Sequence, residues 1–302
     1  MTRGEKRSLW IGLAFISPWI VGFLAFTLFP VCASIYFSFC DYDVLTKPVW
    51  IGTLNYRDMV TDSVFWKSLY NTLYYAFFSL PLCLGIALLV AVLLNQDVKG
   101  RSIFRSVYFL PSLIPVVASA MIWLWILNGN FGVLNHTLAW FGIKGPQWLS
   151  DEKWTKPSLI LMAIWSCGNT VVIYLAALQD VPRSLYESAE LDGANAWVKF
   201  RHVTAPMISP VIYFNLIMGI IGSLQVFAQA YVLFSGAAGL QGQLGGPNRS
   251  ALFYTVYLYQ NAFDYQQMGY ACAMAWMLFL ITLFLTWIAT RSTRRLIYYG
   301  GE

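Results

Sequence analysis

Charge is what this sequence has least of. Charged residues make up 11% of the 302-residue chain and the mean hydropathy is +0.59, whereas a soluble domain carries about 25% charge. A water-soluble globule of this length could not cover itself with so few charges. Six stretches hold no Asp, Glu, Lys or Arg at all: 8–40, 68–96, 106–143, 157–179, 202–248 and 265–290. A helix needs about 20 apolar residues to cross the hydrocarbon core, and each stretch is long enough for one. From Asn128 onward 106–143 turns polar and glycine-containing, and 202–248 opens with Pro206 and Pro210 and closes in the glycine-rich run Gly236–Pro247. Each therefore contributes one span. An all-α integral membrane protein with six transmembrane helices is predicted, at about 9–39, 69–94, 106–127, 157–178, 211–234 and 266–290.

Catalytic groups are equally scarce. There are two histidines, His136 and His202, and neither belongs to an H-E-x-x-H motif. No G-x-x-x-x-G-K-[ST] phosphate loop and no G-x-S-x-G elbow occurs, so nucleotide hydrolysis and serine hydrolysis of those kinds are excluded. The five cysteines (Cys32, Cys40, Cys83, Cys167, Cys272) are odd in number and lack C-x-x-C spacing, which fits small apolar packing residues rather than disulfides or a metal site. All fourteen acidic residues fall in loops or at span ends. Proton-coupled carriers bury a titratable group within the membrane, so transport by this chain would need energy from a partner. Neither a metal nor a cofactor is expected.

The few charges that remain set an orientation. With the N-terminus inside, 12 of the 19 basic residues fall on inside segments: Arg3, Lys6, Arg7; Lys99, Arg101, Arg105; Arg183, Lys199, Arg201; Arg291, Arg294, Arg295. By the positive-inside rule both termini are cytoplasmic. Spread over four juxtamembrane segments, these charges form no stripe of the kind that nucleic acid requires. The first apolar stretch, Leu9–Phe39, is about twice the length of a secretory h-region and reads as an uncleaved span, kinked at Pro18 and Pro30.

Between spans four and five lies a cytoplasmic loop, 180–208, whose local signals spell helix, break, helix. Ser184 and Glu187, three residues apart, have the spacing of a capping box. Gly193 suits the left-handed position that ends a helix. Asn195 can cap a second short helix, and Pro206 closes it before the fifth span. Glu187 and Glu190 then project on adjacent turns, with Asp192 near the end. From local rules alone, a solvated loop and a docking surface are both open.

The spacing of Glu187-Ser188-Ala189, Gly193 and Val203-Thr204-Ala205-Pro206 resembles the EAA loop of permease subunits in binding-protein-dependent ABC importers. Ser188, Val203 and Ala205 depart from the family's alanine, isoleucine and leucine, all small or apolar changes. Two further stretches are similar to the carbohydrate-uptake branch of that family. One is Gly100-Arg101-Ser-Ile-Phe-Arg105 with Phe109-Leu110-Pro111. The other comprises Gly245-Gly246-Pro247, Tyr254–Tyr259, Ala262-Phe263 and Met268–Trp276. The likeness runs along essentially the whole chain.

This resemblance implies a single permease domain over 1–302 with the type I ABC importer fold, in a bacterial or archaeal cytoplasmic membrane. It implies a second permease subunit, two copies of a cytoplasmic ABC ATPase that uses the ATP, and an extracytoplasmic solute-binding protein. By the same resemblance Glu187, Ala189, Glu190, Asp192, Gly193 and Pro206 couple the loop to the ATPase. The implied cargo is a sugar; a polyol or glycerol phosphate, or a carrier working alone, are the alternatives. For the substrate path the candidates are Trp165 and Asn169 on the fourth span, with Tyr174 a further aromatic there, and Asn215, Gly222, Gln225 and Gln229 on the fifth. At 100° per residue Asn215, Gly219, Gly222 and Gln229 fall within roughly 80° of arc. Such a stripe of small and amide residues is also the usual glue between membrane helices, and packing is the reading favoured for it.

Overall fold

The structure, a computed structural model, describes residues 3–97, 99–235 and 244–293. Arg294, Arg295 and most of the glycine-rich run at 236–247 lie outside the described residues. In chain order the helices are α1 (Arg3–Phe23), α2 (Phe29–Ser38), α3 (Leu54–Thr61), α4 (Ser63–Leu94), α5 (Arg101–Phe109), α6 (Val116–Ile126), α7 (Val133–Trp140) and α8 (Glu152–Trp165). There follow α9 (Gly168–Gln179), α10 (Arg183–Leu191), α11 (Ala196–Lys199), α12 (Ala205–Met207), α13 (Ser209–Leu224), α14 (Ala228–Phe234), α15 (Tyr254–Tyr259) and α16 (Met268–Thr293).

Four segments are long and apolar enough to cross a membrane without a sharp bend: Trp10–Ser38, Ser63–Leu94, Ser209–Phe234 and Met268–Thr293. Two more, Arg101–Leu113 with Val116–Ile126 and Glu152–Trp165 with Gly168–Gln179, pass the same test only as pairs, bent by 100° and 43°. Counting each pair as one span gives six. The predicted third span is therefore no straight rod. Pro115 lacks an N–H and takes φ −53° and ψ 138°, an extended conformation outside the helix, and Pro111 pulls the preceding turn into a 3-10 helix, Leu110–Leu113. The fifth is also interrupted, at 225–227 between α13 and α14.

The chain divides into two compact units. Unit 1 comprises 1–62 and 258–279. Its first helix is joined to α2 through a π-helical turn, Leu24–Leu28, with Pro18 inside α1 and Pro30 in the first turn of α2. No residue of the apolar window in Trp10–Ser38 is buried within the chain. A helix hydrophobic on every side needs a nonaqueous environment around it. Beyond Ser38 a two-residue antiparallel pair, β1 (Cys40–Asp41) with β2 (Val49–Trp50), turns the chain back. Asn55 ties this turn down, its Nδ2 donating to the carbonyls of Ser38 (2.9 Å) and Cys40 (3.0 Å). Gly269 donates its N–H to the Tyr42 carbonyl at 3.0 Å, an approach possible because a β-carbon there would meet the Cys40 carbonyl.

Unit 2 comprises 63–257 and 280–302 and is organised around α4. α8, α9 and α13 all pack against it. Ala87 and Ala91, both fully buried, let α9 approach through Val171, Tyr174, Leu175 and Leu178. Small residues permit this close approach of membrane helices. Gly219 of α13 sits on Leu80, and Gly168, at the α8–α9 break, sits where a β-carbon would lie 2.5 Å from the Tyr108 carbonyl. At the other end of α4 a polar lock holds the segment following Gly245-Gly246-Pro247. Asn71 Nδ2 donates to the carbonyls of Arg249 and Leu252, at 2.9 and 3.0 Å. Lys156 Nζ donates to Asn71 Oδ1 and the Ser250 carbonyl, each at 3.3 Å, and lies over the rings of Tyr70 and Tyr74. Thr155 donates to Ser250 Oγ at 2.9 Å, and Thr72 Oγ1 accepts the Tyr254 N–H at 2.8 Å. Gly245 and Gly246 take φ of +91° and +74°, the conformation glycine supplies most readily.

Gly168→Val is expected to lower stability by about 1–3 kcal/mol through overpacking against the Tyr108 backbone. Gly85→Ala, in α4 with nothing near its absent β-carbon, is expected to leave it undiminished. Thermal unfolding of the two detergent-solubilised variants beside wild type measures both.

Candidate functional site

The loop between the fourth and fifth spans is rigid at its base and open at its tip. Val181 and Ile208, its two ends, are buried in the same apolar cluster as Ala87, Ala91 and Leu178. Tyr186, Val203 and Met207 pack against that cluster, and the Tyr186 hydroxyl shares a hydrogen bond with Thr204 Oγ1 at 2.9 Å. One face of α10 is therefore fixed to the membrane helices beneath it.

The end of α10 is a complete Schellman motif. Gly193, at φ +76°, donates its N–H to the Glu190 carbonyl at 3.0 Å, and Ala194 donates to the Ala189 carbonyl at 2.9 Å. Orphan carbonyls of the last turn are thereby satisfied. Asn195 then caps α11, its Oδ1 accepting the Val198 N–H at 2.9 Å. α11 runs through a π-helical turn, Phe200–Thr204, into α12, whose first turn contains Pro206. Pro206 stands inside this helical run, just after the π-helical turn, and the helix continues past it to Met207.

The start of α10 differs from the capping-box expectation. Pro182 is the N-cap, with φ −59° and ψ 130° and no side-chain cap bond. Because proline fixes the entry one residue before Arg183, Ser184 and Glu187 fall inside the helix and cannot bond reciprocally to its first turn. Ser184 instead lends its carbonyl to the Ser188 hydroxyl at 2.9 Å.

Of the acidic residues, Glu190 is paired with Lys199 Nζ at 2.7 Å, closing α10 against α11. The carboxylates of Glu187 and Asp192 are exposed and have no ion pair among the described residues. Beside them stand side chains not singled out from the sequence: Leu191 is 90% exposed and Trp197 66% exposed, with Leu185 also exposed. An apolar patch flanked by carboxylates on a rigid base is the composition of a protein-docking surface. The signal was available, since Leu191 and Trp197 bracket a helix-ending glycine on an otherwise polar loop.

The path candidates separate. Asn215 is buried, with its Nδ2 bonded to the Val211 carbonyl of its own helix at 2.9 Å. Its neighbour Gly219 lies against Leu80. That half of the stripe packs helices. Gly222 and Gln225 are exposed at the end of α13, whereas Gln229 lies beyond the 225–227 interruption, half-buried on α14. The structure therefore does not continue one straight face from Asn215 to Gln229. Trp165 and Asn169 straddle the α8–α9 break, both exposed, and Trp165 meets Trp123 edge-on at 5.7 Å. Tyr174 is buried in the α4–α9 contact.

A helical membrane unit with a capped, outward-facing loop helix rooted in its core fits the class of membrane transport permeases. Comparison with known proteins is specific. Residues 66–298 match the binding-protein-dependent transport system inner membrane component family, and the chain belongs to it. It is 40% identical over 304 residues, covering 100% of this chain and 96% of the relative, to the Probable ABC transporter permease protein YesP of Bacillus subtilis. It is 32% identical to the arabinooligosaccharides transport system permease protein AraP of the same organism, over 92% of this chain and 86% of that one. It is likewise 32% identical to the lactose transport system permease protein LacF of Rhizobium radiobacter, over 94% of each. Among solved structures, a chain of a bacterial alginate ABC transporter in complex with an alginate-pentasaccharide-bound periplasmic protein superposes with a TM-score of 0.81 at 24% identity, covering 98% of both chains. The fold is thus the type I ABC importer permease fold.

Asn195→Ala is expected to remove the α11 cap at a cost of about 1 kcal/mol. Hydrogen exchange should show the Val198 amide opening about fivefold more often, with amides of α9 unaffected.

Proposed function

We propose that this chain is the membrane-spanning permease subunit of an ABC importer for a sugar, forming one permease domain with both termini cytoplasmic. It works with a second permease, two ATPase copies that hydrolyse the ATP, and an external solute-binding protein; it needs no cofactor of its own. The observation that carries this reading is the loop 180–208. Its base is buried among α4 and α9, while Glu187, Leu191, Asp192 and Trp197 face outward. A partner closing on that tip would move the membrane helices, because little between them can give. Sugar as cargo is supported by relatives named for arabinooligosaccharides and lactose that match nearly the whole chain.

In this reading Glu187 and Asp192 meet basic groups of the ATPase. Glu190 acts by holding α11 to α10. Ala189 and Gly193 shape the turn through their backbones, and Pro206 leads into the fifth span. The path runs by Trp165 and Asn169 at the α8–α9 break and by Gly222, Gln225 and Gln229 at the interruption of span five. Broken helices expose backbone carbonyls and N–H groups that a polar solute can use.

Gly193→Asp is expected to abolish uptake of the sugar held by the cognate binding protein while normal amounts of permease remain in the membrane. Gly193→Asn, which tolerates φ above zero better than other side chains, should retain substantial uptake. Undiminished uptake by Gly193→Asp would reject the coupling role. For the path, Asn169→Ala and Gln229→Ala should each weaken apparent affinity about three- to tenfold, the effect of one lost neutral hydrogen bond. Unchanged half-saturation in both variants would remove these residues from the path.

A further inference from the structure

The connection between α6 and α8 encloses a pocket of about 330 Å³, inside the ~300–1,000 Å³ range of small-molecule sites. It lies away from the α8–α9 break and from span five's interruption in sequence. Trp125 and Phe131, 80% and 76% exposed, stand in its walls. Asn128, Asn130, Gln147 and Ser150 supply its polar groups, and no charged side chain lines it.

The pocket is built rather than incidental. Asn128 Oδ1 accepts the N–H groups of Asn130 and Phe131, at 3.0 and 3.2 Å. Asn135 Nδ2 bridges the two arms of the connection, donating to the carbonyls of Gly129 (2.8 Å) and Pro146 (3.0 Å). Trp148 Nε1 holds Asn135 Oδ1 at 2.7 Å. A β-carbon at Gly129 would meet the side-chain amide of Gln147, and Gln147 Nε2 donates to Asn130 Oδ1 at 3.3 Å. With those bonds made, Asn128 Nδ2, Asn130 Nδ2, Gln147 Oε1 and Ser150 Oγ have no partner among the described residues.

We infer that this pocket is a binding subsite for one neutral sugar ring, set in the connection between the third and fourth spans. The inference rests on the sugar-importer reading, which also puts this connection on the outer face. Two amide donors, an amide acceptor and a hydroxyl that can do either match the paired donor and acceptor character of adjacent sugar hydroxyls. The aromatic walls offer faces to the ring's C–H groups. The absence of charge discriminates against uronates, because a carboxylate would lose hydration without gaining a cation.

The test uses the assembled transporter in nanodiscs, without ATP or binding protein. The probes are D-glucose, D-galactose, L-arabinose, L-rhamnose and D-galacturonate, followed by saturation-transfer NMR and intrinsic tryptophan fluorescence. At least one neutral sugar is expected to bind saturably, and galacturonate is not. Asn130→Ala and Gln147→Ala should each weaken that binding about fivefold or more. Trp125→Ala should do the same, and Trp125→Phe should restore most of it. Wild-type unfolding temperatures in the variants establish that the connection is still folded. Absence of saturable binding to wild type, or binding that survives all three alanine variants, overturns the inference. So does a defect that appears only in a companion assay of ATPase stimulation by the loaded binding protein, with sugar binding unchanged, which would make the face a protein contact. In any of these cases import of a sugar by the wild-type transporter leaves the importer reading standing, whereas failure to import any sugar removes that reading itself.

Discussion

A backbone inside a bilayer has nowhere to find hydrogen-bond partners except in itself or in protein packed around it. That single constraint accounts for most of what this chain does. It forces the apolar stretches into helices, and it makes each interruption of a helix informative. Interruptions fall at 114–115, at 166–167 and at 225–227. Each leaves carbonyls and N–H groups that lipid cannot satisfy. The second is closed over by Gly168, which brings the α9 backbone against Tyr108 and Phe109. The third is met in part by Thr255, whose hydroxyl donates to the Val226 carbonyl at 2.6 Å. Such places need protein or a solute-filled cavity beside them, and Trp165, Asn169 and Gln225 lie at two of them.

The same constraint explains the division of polar residues. At the Asn71 end of α4, Asn71, Thr72, Thr155, Lys156 and Ser250 form a lock in which they satisfy one another and the backbone of 249–254. The opposite end, near Leu94, is closed by apolar burial around Val181 and Ile208, with Arg105 donating to the Leu94 carbonyl at 3.2 Å. A helix pinned by directional bonds at one end and by apolar packing at the other can shift at the second more easily than at the first. Apolar contacts tolerate small displacements, whereas a hydrogen bond weakens steeply with angle. The loop 180–208 is rooted at the more permissive end.

Much of this was legible from sequence, and the reason is charge. Because a single Lys or Asp at bilayer depth is costly, each charge-free window overlaps one long apolar helix or one bent helix pair of the structure. The loop was legible because glycine at φ above zero and an Asn cap are local requirements, and both Gly193 and Asn195 occupy those conformations. Bends were not legible. Pro81 sits inside α4 without breaking it, whereas Pro115 marks a 100° turn; the difference lies in the neighbours each backbone finds, which no local rule encodes. The Ser184–Glu187 spacing misled because Pro182 took the cap position first. Asn215 lay on the predicted polar stripe, yet its amide bonds to its own helix. A helical wheel shows direction and not what stands there.

Leu191 and Trp197 bear on how the loop would work. A purely ionic contact through Glu187 and Asp192 would be screened by salt within about 8 Å and would hold a partner's position loosely. An apolar side chain seated in a partner's pocket excludes water and fixes geometry, and the carboxylates around it then set orientation and partner choice. Stiffness is the other requirement. The Schellman turn, the Asn195 cap and the Glu190–Lys199 pair together remove the freedom that α10 and α11 would otherwise have to hinge. Force applied at the tip therefore reaches Val181 and Ile208 instead of dissipating in the loop. Sequence conveyed the acidic half of this surface, and the structure supplies the apolar half, Leu191 and Trp197.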